Sequence, residues 1–275
     1  MRTAKLNTSE FQRCAELIEQ ANGLLISAGA GMGVDAGLPD FRGVNGFWRA
    51  YPALAKSGIH FEEIASPDSF ETDPALAWGF YGHRLNLYRR TEPHEGHLIL
   101  RKWADWMANG AFVFTSNVDG LFQKAGFANV VECHGSIHRV QCLEPCSPAI
   151  WSADYIQPVV DEEHCRLISP LPACPDCGAL VRPNILMFGD PNWQPQTTRV
   201  QQSKLNQWLQ RTKRVVVVEL GAGKNIPTVR HFSQGVGMPL VRINPSEPDL
   251  YNAKGVSLKL GAAEALRAID AIFSA

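Results

Sequence analysis

The chain has 275 residues, of which 45% are hydrophobic, and its 26 basic residues nearly balance its 27 acidic residues. The resulting formal net charge of −1 gives no electrostatic basis for a nucleic-acid partner or a membrane-surface partner. No apolar run approaches the roughly 18 residues of a membrane helix, and the first ten residues lack the apolar core of a signal peptide, so we expect a cytoplasmic protein.

The first predicted elements surround a glycine-rich stretch. Residues 8–22 are predicted to form a helix that Gly23 ends, and the apolar run 24–28 is typical of a buried parallel strand. Residues 29–43 follow and read Gly-Ala-Gly-Met-Gly-Val-Asp-Ala-Gly-Leu-Pro-Asp-Phe-Arg-Gly. A glycine turn between a strand and a helix presents free backbone N–H groups that suit phosphate oxygens. We interpret this stretch as a nucleotide cradle.

Residues 44–73 lack clear periodicity, and we expect a partly helical insertion there. Helices are predicted from Asp73–Pro74 to about Arg90 and from about Pro93 to Asn109. In the first helix Trp78, Tyr81, Leu85 and Tyr88 share one face, and in the second we expect Ile99, Trp103 and Trp106 to point inward.

Tyr81 and Arg84 are three positions apart on the first of these helices, so their side chains are neighbours. A guanidinium group fits a carboxylate, and the tyrosine hydroxyl adds a donor. The alternative is a packed tyrosine beside a solvated arginine, and the spacing alone favours it.

Six apolar runs separated by helices predict an α/β fold with a doubly wound parallel sheet. The predicted strands are 24–28, 111–115, 129–133, 215–219, 239–243 and 256–260. Helices are predicted at 196–211 and after the last strand. Ligands of such sheets bind beyond the carboxyl ends of the strands, where the polar or glycine-rich groups 29–43, 116–119, 134–136, 221–223 and 244 are expected.

Three side chains at this edge are candidates for catalysis. His134 follows a predicted strand, and imidazole titrates near neutrality as a general base must. Asn117 and Asp119 alternate on the preceding loop, where an aspartate accepts hydrogen bonds from a carboxamide. The alternatives are a structural histidine and an Asx turn that only shapes the loop.

Five cysteines lie in the segment 140–180, which changes character and is predicted to form a small inserted module. The pairs Cys142–Cys146 and Cys174–Cys177 have spacings that let four thiolates hold one tetrahedral zinc ion. Such a zinc ion has no open position and would be structural. The alternative is two pairs of free thiols, and Cys165 is a possible substitute ligand.

Several of these segments resemble the motifs of one family. Residues 29–42 resemble the sirtuin signature Gly-Ala-Gly-x-Ser-x-x-Ala/Ser-Gly-Ile-Pro-x-Phe-Arg, and residues 115–119 resemble its Thr-Gln-Asn-Ile-Asp loop. His134–Gly135 matches the family's His-Gly pair, the four cysteines follow, and residues 182–190 resemble its Arg-Pro-x-x-x-x-Phe-Gly-Glu segment. The chain is identified as a member of the sirtuin family of NAD-dependent protein deacylases, nearest to bacterial class III-like members with a Tyr-x-x-Arg pair.

The resemblance implies a Rossmann-type NAD-binding domain of residues 1–43, 96–136 and 191–275. It also implies a small domain with a helical part, 44–95, and a zinc-binding part, 137–190. The expected co-substrate is NAD, the expected metal is structural zinc, and the expected partner is an acylated-lysine protein or peptide. We expect a monomer with no nucleic-acid or membrane partner.

The resemblance also implies a reaction, in which the acyl oxygen attacks C1′ of the nicotinamide ribose and nicotinamide leaves. The acyl group is finally released as O-acyl-ADP-ribose. By resemblance, His134 accepts a proton from the ribose hydroxyls, Asp119 holds the nicotinamide carboxamide, and Asn117 orders the pocket. The remaining implied NAD contacts are Gly29, Ala30, Gly31, Asp40, Phe41, Arg42, Ser116, Gly221, Ala222, Gly223, Asn244 and Ala262. Implied substrate contacts are Met187, Phe188 and Gly189, with Tyr81 and Arg84 holding the carboxylate of a succinyl, malonyl or glutaryl chain.

The chain departs from the family pattern at several positions, most of them on the NAD side. Gly33 replaces a serine, Ser116 a glutamine and Phe122 a histidine, and Gly221-Ala222-Gly223 replaces Gly-Thr-Ser. These changes bear on NAD affinity and rate more than on reaction class. Two alternatives stay open: a protein ADP-ribosyltransferase on the same scaffold, and a module that binds or cleaves NAD without acting on acyl-lysine.

Overall fold

A computed structural model describes residues 8–39, 43–250 and 254–274. The predicted NAD contacts at Asp40, Phe41 and Arg42 lie outside these ranges. Every structural statement below concerns the described residues.

The strands and their pairing confirm the predicted sheet. In chain order the strands are β1 (Gly23–Ala28), β2 (Ala111–Thr115), β3 (Val130–Glu132), β4 (Gly135–Cys142), β5 (Trp151–Ser152), β6 (Val160–Asp161), β7 (Arg166–Leu167), β8 (Val181–Ile185), β9 (Val215–Leu220), β10 (Leu240–Ile243) and β11 (Gly255–Leu258). Six of them form one parallel sheet in the order β11-β10-β9-β1-β2-β3. This is the 3-2-1-4-5-6 order of Rossmann-type folds, and it reverses between β1 and β9.

The helices agree with the sequence in the regular part of the chain. They are α1 (Thr8–Glu19), α2 (Gly43–Ala50), α3 (Pro52–Lys56), α4 (Phe61–Ile64), α5 (Pro67–Thr72), α6 (Pro74–Arg90), α7 (Glu95–Trp106), α8 (Leu121–Lys124), α9 (Gln196–Arg211), α10 (Thr228–Gly235) and α11 (Ala262–Ile272). Helix α6 begins where Asp73–Pro74 predicts, since Asp73 accepts a hydrogen bond from Leu76 N at 3.1 Å and proline suits the first helical position. Helix α10 was not predicted.

One predicted core position is wrong. Ile99 and Trp103 are buried, but Trp106 is 48% exposed and packs edge-on against Phe273. Trp106 is the last residue of α7, and the buried face of the helix ends before this position.

The sheet has a hydrophobic cluster on each face, and a third cluster holds the rest of the chain. Leu24, Ile26 and Ala28 of β1 belong to one cluster and Leu25 to the other, because successive strand residues point to opposite faces. The third cluster joins the short helices and α6 to β4 and β8. The exact three-part division of the chain remains a prediction.

A second sheet, β5-β4-β8, is antiparallel and was not predicted. Strand β4 begins at Gly135, directly after His134, where the sequence suggested only a loop. None of the described helices combines the length and the apolar character needed to cross a membrane.

Candidate active site

A cavity of about 1050 Å³ lies at the carboxyl ends of β1, β2, β3 and β9. It includes most of the residues that the sequence assigned to a site. The predicted residues that line it are Gly29, Ala30, Gly31, Ser116, Asn117, Asp119, His134, Gly221, Ala222, Gly223, Tyr81, Arg84, Met187 and Phe188. The parallel strands therefore bring four separate stretches of sequence to one place, as their shared direction requires.

The two glycine turns of the cavity contact each other where the strand order reverses. A Cβ atom on Gly31 would lie 2.7 Å from the Cα atom of Gly221, and one on Gly29 would lie 2.9 Å from the Cα atom of Ala222. The N–H groups of Gly29 and Gly31 donate to Leu220 O at 3.0 Å and Gly221 O at 3.1 Å. The expectation that these two amides are free for phosphate is wrong, because they join the turns to each other.

Gly33, which stands where the family pattern has serine, is closely packed. A Cβ atom there would lie 3.3 Å from a methyl carbon of Leu38, so a larger residue would require the leucine to shift. Glycine therefore replaces the family's serine at a tightly packed position beside the cavity.

Thr115, the last residue of β2, fixes the loop that follows it to β1. Thr115 Oγ1 donates to Ala28 O at 2.9 Å and accepts from Asn117 N at 3.0 Å. Asp119 is buried, and its Oδ1 atom accepts from Leu121 N at 2.8 Å. Both interpretations of Asp119 therefore apply, since it forms an Asx turn and also lines the cavity.

The environment of Asp119 disfavours its charged form. Burial raises the pKa of this carboxyl group from 3.8 to about 6, although the hydrogen bond from Leu121 N and the nearby Arg84 guanidinium both lower it. The Asp119 side chain therefore titrates just below neutral pH instead of near 4.

Asp119→Asn is expected to stabilise the protein above pH 6. The folded protein holds the Asp119 proton more tightly than the unfolded chain, so ionisation costs stability as the pH rises from about 4 through about 6. A shift of about two pKa units corresponds to roughly 3 kcal/mol at most. Denaturant unfolding at pH 7.5 and pH 4 measures the effect, and the gain should disappear at pH 4. The exposed Asp105→Asn is the control, and an equal gain at both pH values would contradict the prediction.

His134 lies just after β3, the edge strand of the parallel sheet. On β3, Glu132 N donates to Gln201 Oε1 at 3.0 Å and Thr198 Oγ1 donates to Glu132 O at 2.9 Å, so side chains of α9 satisfy the free edge of this strand. Leu186 N donates to His134 O at 2.9 Å. Burial lowers the pKa of His134 below its ordinary value, so the ring is neutral at pH 7 and can accept a proton.

The α6 side of the cavity is an arginine enclosed by aromatic rings. Arg84 is only 8% exposed, and its Nε and Nη2 atoms donate to Tyr88 Oη at 3.1 and 2.9 Å. The guanidinium carbon lies 5.2–5.7 Å from the ring centroids of Phe80, Tyr81 and Tyr88. The alternative of a solvated arginine is therefore wrong. Sequence reasoning placed Tyr88 only in the core stripe and missed that it lines the cavity.

Three predicted site residues are not among those that line the cavity: Gly189, Asn244 and Ala262. Asn244 is fully buried, where its Nδ2 atom donates to Ala222 O at 2.9 Å and its Oδ1 atom accepts from Glu247 N at 2.9 Å. The geometry gives Asn244 a supporting position beneath the second glycine turn. Its contact with ribose remains a prediction.

The four predicted cysteine ligands converge. The sulfur atoms of Cys142, Cys146, Cys174 and Cys177 all lie within 4.8 Å of one another, and two of their separations are 3.7 Å. Tetrahedral zinc with bonds of about 2.3 Å places its sulfur ligands roughly 3.8 Å apart, so the residues fit the ion. All four are free thiols, and Cys165 lies outside the group.

Comparisons with known proteins agree with this geometry. A model of the Sir2 family matches residues 29–217. The NAD-dependent protein deacylase 1 of Caldanaerobacter subterraneus subsp. tengcongensis is 28% identical over 259 residues, which are 93% of this chain and 96% of that protein. The NAD-dependent protein deacylase of Thermococcus kodakarensis is 37% identical over 179 residues, 64% of this chain and 63% of that protein. A solved Sir2 homolog–NAD complex has a TM-score of 0.71 at 26% identity, covering 96% of this chain and 94% of that chain.

Proposed function

The chain belongs to the Sir2 family, and from this premise we propose that it removes acyl groups from protein lysines in a reaction that consumes NAD and releases nicotinamide and O-acyl-ADP-ribose. The observation that carries the proposal is a single cavity. It is lined by the two glycine turns at the reversal of strand order, by Asn117, Asp119 and His134, and by Arg84 of α6. The names of the relatives support the same reaction.

NAD fits this cavity in size and in the groups that it would meet. The volume of the cavity is at the upper end for small-molecule sites. The turns 29–31 and 221–223 lie at the position where Rossmann-type sheets bind dinucleotides. NAD supplies the bond between ribose C1′ and nicotinamide that the reaction breaks. We propose that Ala30, Ser116 and the second glycine turn contact the phosphate and ribose side of NAD.

The chemical steps belong to three side chains at the ends of β2 and β3. The carboxylate of Asp119 accepts a hydrogen bond from the nicotinamide carboxamide, and Asn117 orders the ribose and the pocket. His134 accepts the proton of a ribose hydroxyl at the unprotonated nitrogen of its neutral ring. Both His134 and Asp119 work in their deprotonated forms, so activity should rise with pH through about 6.

The acyl-lysine enters past the segment after β8. Met187 is buried and Phe188 is 39% exposed, and both line the cavity. Phe188 N donates to Ala65 O at 2.9 Å, which ties this wall to the end of α4. We propose that these two side chains enclose the lysine stem and that Gly189 pairs with the backbone of the substrate.

We further propose that the preferred acyl chains end in a carboxylate, as succinyl, malonyl and glutaryl chains do. Arg84 and Tyr81 line the same cavity as Asn117 and Asp119. A permanent cation that is 8% exposed gives strong, directional hydrogen bonds to a carboxylate. A neutral acetyl group would make no use of it.

Arg84→Met is expected to lower the ratio of kcat/KM for succinyl-lysine over acetyl-lysine peptide by about 10- to 100-fold, because a hydrogen bond to a charged group contributes roughly 1.5–3 kcal/mol. Mass spectrometry of matched peptides with NAD measures the ratio. Arg90→Met is the matched control, since Arg90 is exposed on the same helix. An unchanged ratio in Arg84→Met would refute the acidic-acyl proposal and leave the deacylase proposal intact.

The products decide the reaction class. Deacylated peptide with an equal amount of O-acyl-ADP-ribose is the expected outcome. A protein that carries ADP-ribose would instead indicate the transferase. Loss of NAD without any acyl-lysine peptide would indicate an NAD-cleaving module.

A further inference from the structure

His138, on β4, contacts the main chain of the loop 116–120 that carries Asn117 and Asp119. His138 Nε2 lies 2.8 Å from Asp119 O. A carbonyl oxygen only accepts hydrogen bonds, so the proton must be on Nε2. The imidazole of His138 thus donates to the peptide that carries the Asp119 side chain.

The same ring also packs on the next residue of the loop. Gly120 has a left-handed φ of 77°, and a Cβ atom there would lie 2.9–3.0 Å from ring atoms of His138. The ring therefore lies directly against the Gly120 backbone. Only glycine suits this position, since it needs both the positive φ and the close approach.

Strand β4 makes a second contact with this loop, because Ile137 N donates to Val118 O at 3.1 Å. The strand begins at Gly135, directly after His134. Its first four residues therefore connect His134 to the carbonyl groups of residues 118 and 119. Strand β4 therefore connects the base of the proposed reaction to the loop that carries the carboxylate.

We propose that His138 is a positioning residue for nicotinamide recognition, which fixes the Asp119–Gly120 peptide and so directs the Asp119 carboxylate into the cavity. The inference rests on the proposed function and assigns His138 no contact with substrate. Without the His138 ring, the Asp119 carbonyl would lose its hydrogen-bond donor. The next residue is Gly120, and glycine has the greatest conformational freedom of all residues. The bond from Leu121 N would then be the remaining hydrogen bond to Asp119 itself among the described residues, while Val118 O and Gly120 O would keep theirs.

The surroundings keep this ring neutral, so its donor does not depend on protonation near pH 7. Burial lowers the pKa of His138, and the nearby Arg89 guanidinium lowers it further. The Asp119 carbonyl, Glu132 and Asp154 act in the opposite direction.

The test compares His138→Leu, which removes the donor, with His138→Gln, whose side-chain N–H can replace it. Nicotinamide inhibition and KM for NAD report on the nicotinamide end, whereas calorimetric binding of ADP-ribose reports on the rest of the site. In His138→Leu we expect the nicotinamide inhibition constant and KM to rise about five- to tenfold, the effect of one lost hydrogen bond. ADP-ribose affinity should stay within twofold, and His138→Gln should restore nicotinamide binding.

Amide exchange supplies a readout that needs no nucleotide. In His138→Leu, exchange at Gly120 and Leu121 should accelerate, and in His138→Gln it should stay near the wild-type rate. The inference is overturned if the leucine variant keeps wild-type nicotinamide inhibition, if ADP-ribose weakens equally, or if glutamine fails to rescue. Wild-type protein that binds neither ADP-ribose nor NAD would refute the proposed function itself, whatever the exchange data show.

Discussion

His134→Ala is expected to lower kcat for deacylation by about 10²- to 10⁴-fold, the usual contribution of a general base. The wild-type ring has the properties that a base requires. It lines the cavity beside Asn117 and Asp119, and burial lowers its pKa so that it is neutral at pH 7. Alanine removes the only imidazole among the described residues that is placed at the end of β3. Steady-state kinetics with an acyl-lysine peptide and saturating NAD measure the effect.

Two further measurements separate catalysis from folding in this variant. ADP-ribose affinity and Tm should change little, because the chain around His134 is held by backbone bonds such as Leu186 N to His134 O at 2.9 Å. His164→Ala is the matched control, since the His164 side chain is 64% exposed and His164 is not among the residues that line the cavity. If His134→Ala kept more than a tenth of wild-type kcat, His134 could not be the base.

Cys174→Ser is expected to abolish zinc binding and to destabilise the protein by on the order of 5 kcal/mol, because a structural zinc site contributes directly to folding. In a chain of this size such a loss lowers Tm by roughly 10 °C or more. The cysteines join the end of β4 to the segment before β8, and Cys142 and Cys174 belong to the same hydrophobic cluster as Tyr81. Activity should therefore fall as well, although the metal does no chemistry.

Metal analysis and thermal melts check this second prediction. The wild type should contain one zinc ion per chain, and a chelator should lower its Tm toward that of Cys174→Ser. Cys14→Ala is the control, because it removes a fully buried thiol that is not one of the four grouped cysteines. This variant should keep the zinc. A wild-type protein that contains no metal, and whose Tm a chelator does not change, would contradict the prediction.

Hydrophobic runs and glycines allowed the large sheet to be predicted almost strand by strand. Buried parallel strands read as continuous apolar segments, so Val215 to Leu220 and Ala111 to Thr115 are visible without any partner. The antiparallel pairing of β5 with β4 and of β6 with β7 was missed because β5, β6 and β7 have two residues each. Such short strands have no period to detect, and only their pairing partners define them.

The candidate site divides in the same way. By itself, the sequence determined the doubly wound parallel sheet, the four cysteines with zinc-ligand spacing and the cluster of polar side chains beyond the strands, because each follows from local spacing or strand direction. The tertiary structure alone decided that Gly29 and Gly31 serve the contact between two turns. It alone decided that Arg84 is enclosed by aromatic rings and not solvated, and that His138 holds the Asp119 peptide. The contact of Gly31 with Gly221 and that of His138 with Asp119 join residues 190 and 19 positions apart, which no local pattern of residues records. The rings around Arg84 lie three or four positions away on α6, but whether this face of the helix is buried depends on how the chain packs.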